Sequence, residues 1–124
     1  MKRFFIVFFI ALGLSACNYD FIEPETANLD PNDTVSFKTD VAPIFSNNSK
    51  CTSCHSPGET APDLTANNAY NSVMTDDIVV PGDGEGSTLY FYPAPQTSEH
   101  AWSKYSTEEA QLVLLWINQG ALNN

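Results

Sequence analysis

Apolar residues recur at helical spacing in several short stretches of the chain. Phe37, Val41, Ile44 and Phe45 follow i, i+4, i+7 and i+8, one face of a helix. Pro43 stands inside that run, so the helix either starts close to it or stays short and irregular. Residues 65–75 predict a second short helix, with Ala69, Tyr70, Val73 and Met74 as its apolar positions. Asp77 to Val80 reads as extended and is stopped by Pro81-Gly82. A helix of about one or two turns is expected from Ser87, turning Leu89, Tyr90 and Phe91 inward. Pro93 and Pro95 then open an irregular loop that runs to Tyr105.

The last helix is the best marked. Ser106 and Glu109 have capping-box spacing, Glu108 and Glu109 suit the positive end of a helix, and Gly120 is placed to stop it. Its interior, Leu112 to Ile117, is apolar nearly all round and must be covered on more than one side. The expected fold is therefore all-α, with about four short helices and long loops.

The first 35 residues have another character. Lys2 and Arg3 precede an apolar run, Phe4 to Leu14, that is too short to span a bilayer comfortably and has the layout of a secretory signal. It ends in Leu14-Ser15-Ala16-Cys17, which resembles the lipobox of bacterial lipoproteins. That resemblance implies cleavage ahead of Cys17 and acylation of its thiol; ordinary cleavage near Ala16, or a retained signal anchor, are the other readings. Residues 17–35 carry Pro24, Pro31, several acids and little periodicity, as expected of an acidic tether. Flexible chain of that length spans roughly 24 Å. The expected organisation is a signal at 1–16, a tether at 17–35 and one folded domain at 36–124. Asn18 is not the aspartate associated with inner-membrane retention, so an outer-membrane anchor in a bacterial envelope is expected, on the periplasmic or the surface face.

Charge narrows the partners. Beyond residue 17 only Lys38, Lys50 and Lys104 face 15 acidic side chains, a formal charge of −12. Such a surface excludes nucleic acid and disfavours anionic headgroups. It suits basic patches on other proteins, although solubility alone would also explain it.

The chemistry concentrates in Cys51-Thr52-Ser53-Cys54-His55. Cys-x-x-Cys-His is the attachment signature of c-type haem. Two thiols three residues apart reach the two vinyl-derived carbons on one porphyrin edge, and the adjacent imidazole falls over the iron as the proximal ligand. With Cys17 acylated, all three cysteines are then used. A zinc site would need further ligands, with only His100 and carboxylates on offer. A thioredoxin-like dithiol would want a strand ahead of Cys51, and none is predicted. A folded part this small and loop-rich is marginal on its core alone, and a covalent haem would supply apolar area and staple the chain.

From Val41 onward the chain resembles a small single-haem cytochrome c domain of class I type, of the kind found in bacterial envelope lipoproteins. The matching pieces are Val41-Ala42-Pro43-Ile44-Phe45, the haem motif, Val80-Pro81-Gly82-Asp83, then Ser87, Leu89 and Tyr90, and finally Trp116-Ile117 with Gly120-Ala121. The resemblance covers about two thirds of the chain; apart from the haem motif each piece is short, and their order carries it. It implies one covalent haem c and a distal ligand from the loop before the last helix, usually a methionine followed by proline. This chain departs there: no methionine follows Met74, and the loop offers His100. His100 is the expected distal ligand, with Met74, Lys104 or an open position as alternatives. Bis-histidine ligation would favour ferric iron and a lower potential than histidine–methionine ligation. Trp116, Leu112 or Leu115, Phe45 and Tyr90 either face the porphyrin or pack as ordinary core.

Gly82, Gly84 and Gly86 alternate with Asp83 and Glu85, acids that would repel phosphate and lack a full calcium ligand series, so this stretch reads as a turn. No hydroxyl or thiol nucleophile is paired with a base. The expected function is a membrane-tethered, non-enzymatic electron carrier docking to a basic redox protein. A haem enzyme or sensor with an open distal position is one alternative, and a structural envelope lipoprotein is the other.

Overall fold

The computed structural model describes residues 29–124, apart from 76, 101 and 103. The expected signal, Cys17 and most of the expected tether lie outside the described residues. Within them the fold is helical and contains no strand, as the periodicity predicts. None of its helices is long and apolar enough to cross a membrane.

The first apolar face folds as a π-turn over Phe37–Val41 that runs into a short α-helix, α1, at Ala42–Ser46. Ser36 starts it: its hydroxyl accepts from the Thr39 amide, and its own amide donates to the Asp40 carboxylate at 2.8 Å. Pro43 falls in the first turn of α1, where its missing N–H costs nothing. Phe37, Val41, Ile44 and Phe45 are all buried.

The second helix, α2, spans Ala69–Thr75 and starts later than periodicity suggests. Asp63 accounts for the delay. Its carboxylate accepts from both the amide and the hydroxyl of Thr65, at 3.0 and 2.6 Å, and holds that segment in a turn. Helix α3 covers only Thr88–Phe91. Leu89 is buried and Tyr90 half-buried, but Phe91 is exposed, against expectation. One turn has a single inward direction, and Leu89 takes it.

Helix α4, Thr107–Asn118, carries the predicted capping box: the Glu109 amide donates to Ser106 Oγ at 3.2 Å, and the Ser106 amide to Glu109 Oε2 at 2.7 Å. It ends in a Schellman motif. The Ala121 amide reaches back to the Trp116 carbonyl, the Gly120 amide to that of Ile117, and Gly120 takes a φ of 100°.

The core forms where α4 meets the first segment. Trp116, Ile117, Val113, Val41, Phe45 and Val73 are its most deeply buried large side chains. The Phe37 ring lies 5.0 Å from Trp116 and 5.2 Å from Tyr70, centroid to centroid. The chain end clasps the start of the domain: the Phe37 amide donates to Asn124 Oδ1 at 2.8 Å and the Lys38 amide to the Asn124 carbonyl at 3.0 Å. Val35 is buried as well, its amide donating to Gln119 Oε1 at 2.9 Å, so the packed domain includes at least one residue of the expected tether.

The glycine-rich stretch is a turn, as predicted, and it lies against α4. The Gly82 amide donates to the Ile117 carbonyl and the Gly84 amide to Asn118 Oδ1, both at 2.8 Å. Ser87, fully buried, accepts from the Val80 amide and donates to the Asp83 carbonyl, which closes the turn. Gly84 has no room for a side chain: a Cβ would sit 2.5 Å from Leu114 Cδ1 and 3.1 Å from the Leu114 carbonyl oxygen. Gly84→Ala is therefore expected to cost about 1–3 kcal/mol of stability. Its urea midpoint should fall while the slope of the transition stays the same.

Candidate functional site

The Cys51–His55 motif follows α1 after a 3-10 turn at Asn47–Ser49, and its backbone forms a helical turn. The Cys51 amide donates to the Phe45 carbonyl at 3.0 Å, and the His55 amide to the Cys51 carbonyl at 2.9 Å. The next segment is pinned beneath it, since the Leu64 amide donates to the His55 carbonyl at 2.9 Å. The turn carries Cys51, Cys54 and His55 to the wall of one cavity.

That cavity has a volume of about 630 Å³, within the range of small-molecule and cofactor sites. Leu64, Ile78, Leu89, Pro62 and Pro93 make much of its wall apolar, and Tyr105 also lines it. Tyr105 is buried and donates to the Leu89 carbonyl at 3.1 Å. Burial holds its hydroxyl protonated well above the usual tyrosine range, and negative charge at Cys51 and Glu109 would act the same way.

His100 comes from the 93–105 loop to the same cavity, 45 residues after His55 in the chain. The two imidazole centroids stand 6.2 Å apart, with ring planes inclined by 26°. Two metal–imidazole bonds of about 2 Å each, plus roughly 1 Å from each bonding nitrogen to its ring centre, add up to about 6 Å. That separation leaves room for one metal atom between the two rings, whose planes are near parallel. His100 Nδ1 contacts the Trp102 carbonyl oxygen. A carbonyl can only accept, so this contact assigns the proton to Nδ1 and leaves the Nε2 lone pair for a metal. The His55 Nδ1 is buried and has no hydrogen-bond partner, alone in this among side-chain nitrogens and oxygens of the described residues. Such an atom costs about 1–3 kcal/mol and points to a partner from outside the polypeptide.

These features fit a haem. A porphyrin supplies four nitrogens to its iron, so the protein need contribute only two, and two histidines face each other across an apolar space beside the thiols. Zinc fits less well: among the described residues no three or more His, Cys, Asp or Glu side chains converge on a point. A redox dithiol fits poorly too. Burial pushes the Cys51 thiol up to about 11; Lys50 pulls it down and Glu109 pushes it further up, whereas a reactive thiol is activated by a lowered value.

Several expected neighbours of the haem lie elsewhere. Trp116 is buried against Phe37 and Tyr70, donates its indole N–H to the Leu122 carbonyl at 2.9 Å, and does not line the cavity. Leu112, Leu115, Phe45 and Tyr90 do not line it either and take the core reading. Met74 packs half-buried against the core, away from the cavity wall, and Lys104 Nζ donates to the Thr97 carbonyl. His100 is thus the one distal candidate set opposite His55. Sequence reasoning left Leu64, Ile78, Tyr92 and Tyr105 out of the cavity wall. Pro62-x-Leu64, an apolar pair in a polar run just beyond the motif, was the available signal. No family model, curated protein or solved structure matches this chain.

Proposed function

We propose that this chain is a single-haem c-type cytochrome that carries electrons and is tethered to a bacterial membrane through lipid on Cys17. The observation that carries the reading is the pairing of His55 with His100 at 6.2 Å across the cavity that also takes Cys51 and Cys54. Cys51 and Cys54 would hold haem c as thioethers, and His55 and His100 would be the proximal and distal iron ligands. A haem held this way supplies one-electron ferric/ferrous chemistry. The protein's part is to keep both imidazoles in place in either state. His55 is fixed through the helical turn and the Leu64 amide, and His100 through the Trp102 carbonyl.

The largely apolar lining would favour electron exchange over ligand exchange. Bis-histidine ligation places the potential below that of a histidine–methionine haem. The fold reading that goes with this is a cytochrome c-like arrangement of four short helices around one haem. The first 18 residues support export, with an outer-membrane anchor facing periplasm or exterior.

The spectrum of the reduced protein tests the reading. Haem should be covalent, six-coordinate and indifferent to carbon monoxide. Prompt carbon monoxide binding would instead favour an open distal position, and so an enzyme or a sensor.

A further inference from the structure

We infer that Phe91, Tyr92 and Trp102 form the docking face for a basic redox protein, on the His100 side of the cavity; the inference rests on the electron-carrier reading above. Large apolar side chains are seldom left exposed without cause when they gather in one place. Here Phe91 is 39% exposed, Tyr92 40% and Trp102 78%. Tyr92 and Trp102 both line the cavity that holds His55 and His100. The Tyr92 ring meets His100 edge-on at 5.9 Å and Phe91 edge-on at 6.3 Å. An unbroken aromatic series therefore leads from the proposed distal ligand to the surface.

Charge selects the occupant. Glu59, Asp77 and Glu99 are exposed, and each lies next in the chain to a cavity-lining residue: Thr60, Ile78 and His100. The nearby lysines are engaged: Lys50 pairs with Glu109, and Lys104 Nζ is folded onto the Thr97 carbonyl. Exposed aromatics beside a cavity whose flanking chain positions carry exposed acids suit a protein partner that brings basic side chains around an apolar contact. Anionic lipid or nucleic acid would be repelled by those acids. The partner is therefore a redox protein with lysines around an apolar contact spot, and it approaches the iron from the distal side.

Mitochondrial cytochrome c, a strongly basic haem protein, serves as the probe. The haem-loaded protein is titrated with it in a calorimeter at low and at high salt. The rate of one-electron transfer from the ferrous protein to the ferric probe is measured in parallel; the first is oxidised as the second is reduced. Phe91→Lys places a like charge in the contact and lies outside the cavity wall. Leu122→Lys makes the same charge change at another exposed apolar residue, on a depression that shares no lining residue with the cavity.

Phe91→Lys should weaken binding and slow transfer by about fivefold or more, with an unchanged spectrum and an unchanged rate toward a small uncharged quinone. Leu122→Lys should alter both by less than about twofold. Equal losses in the two variants, or none in Phe91→Lys, would overturn the docking face. Failure of the wild-type chain to hold haem would show beforehand in its spectrum, and would count against the function rather than the face.

Discussion

His100→Ala is expected to turn a protein whose reduced form ignores carbon monoxide into one that binds it promptly. Among the described residues of the 93–105 loop, His100 is the one that the proposed site sets against His55, at 6.2 Å between ring centres. No other strong ligand is ready to replace it. Met74 is packed into the core, and the Lys104 ammonium is held at the Thr97 carbonyl. The absorption bands should change from six-coordinate to open, while the covalent attachment through Cys51 and Cys54 survives. His100→Met should restore a six-coordinate haem and raise the potential, because thioether sulfur favours ferrous iron. A His100→Ala spectrum identical to wild type would remove His100 from the iron.

The second large effect falls on stability. Trp116→Ala should cost about 3–5 kcal/mol. Trp116 is 1% exposed, contacts Phe37 and Tyr70 and donates its indole N–H to the chain end at Leu122. A small domain has about 5–15 kcal/mol in total. The variant should therefore lose a substantial part of its margin, seen as a large drop in Tm. A loss below about 1 kcal/mol would mean that Trp116 is not the centre of the core. Because it lies outside the cavity wall, the haem spectrum of whatever fraction folds should stay the same.

Local chemistry made much of this fold legible in the sequence. The capping box at Ser106 and Glu109, the stop at Gly120 and the irregularity around Pro43 each depend on a few adjacent residues, so local sequence specifies them. The late start of α2 is not legible in this way, because it follows from the Asp63 carboxylate taking up Thr65. Phe91 departs from expectation because a single turn shows too little periodicity to fix its inward side.

The site divides in the same way. Cys51, Cys54 and His55 form one contiguous motif, and His100 stood out as the only other histidine in the chain. Which apolar residues wall the cavity depends on how the 61–64, 78 and 88–93 segments pack, and no spacing along the chain encodes that. Trp116 shows the same limit from the other side. Its pattern on α4 suited core and cofactor alike, and tertiary packing decided for core.

The most direct measurement is the intact mass of the mature chain, made in a bacterial host that matures c-type cytochromes. A polypeptide starting at Cys17 should carry an added group of about 600 Da, on the order of one porphyrin, together with acyl chains on its first residue. The porphyrin-sized increment should survive acid–acetone extraction and vanish in a Cys51→Ser/Cys54→Ser variant. A mature chain that carries no such increment would contradict the haem at residues 51, 54 and 55, and with it the electron-carrier function.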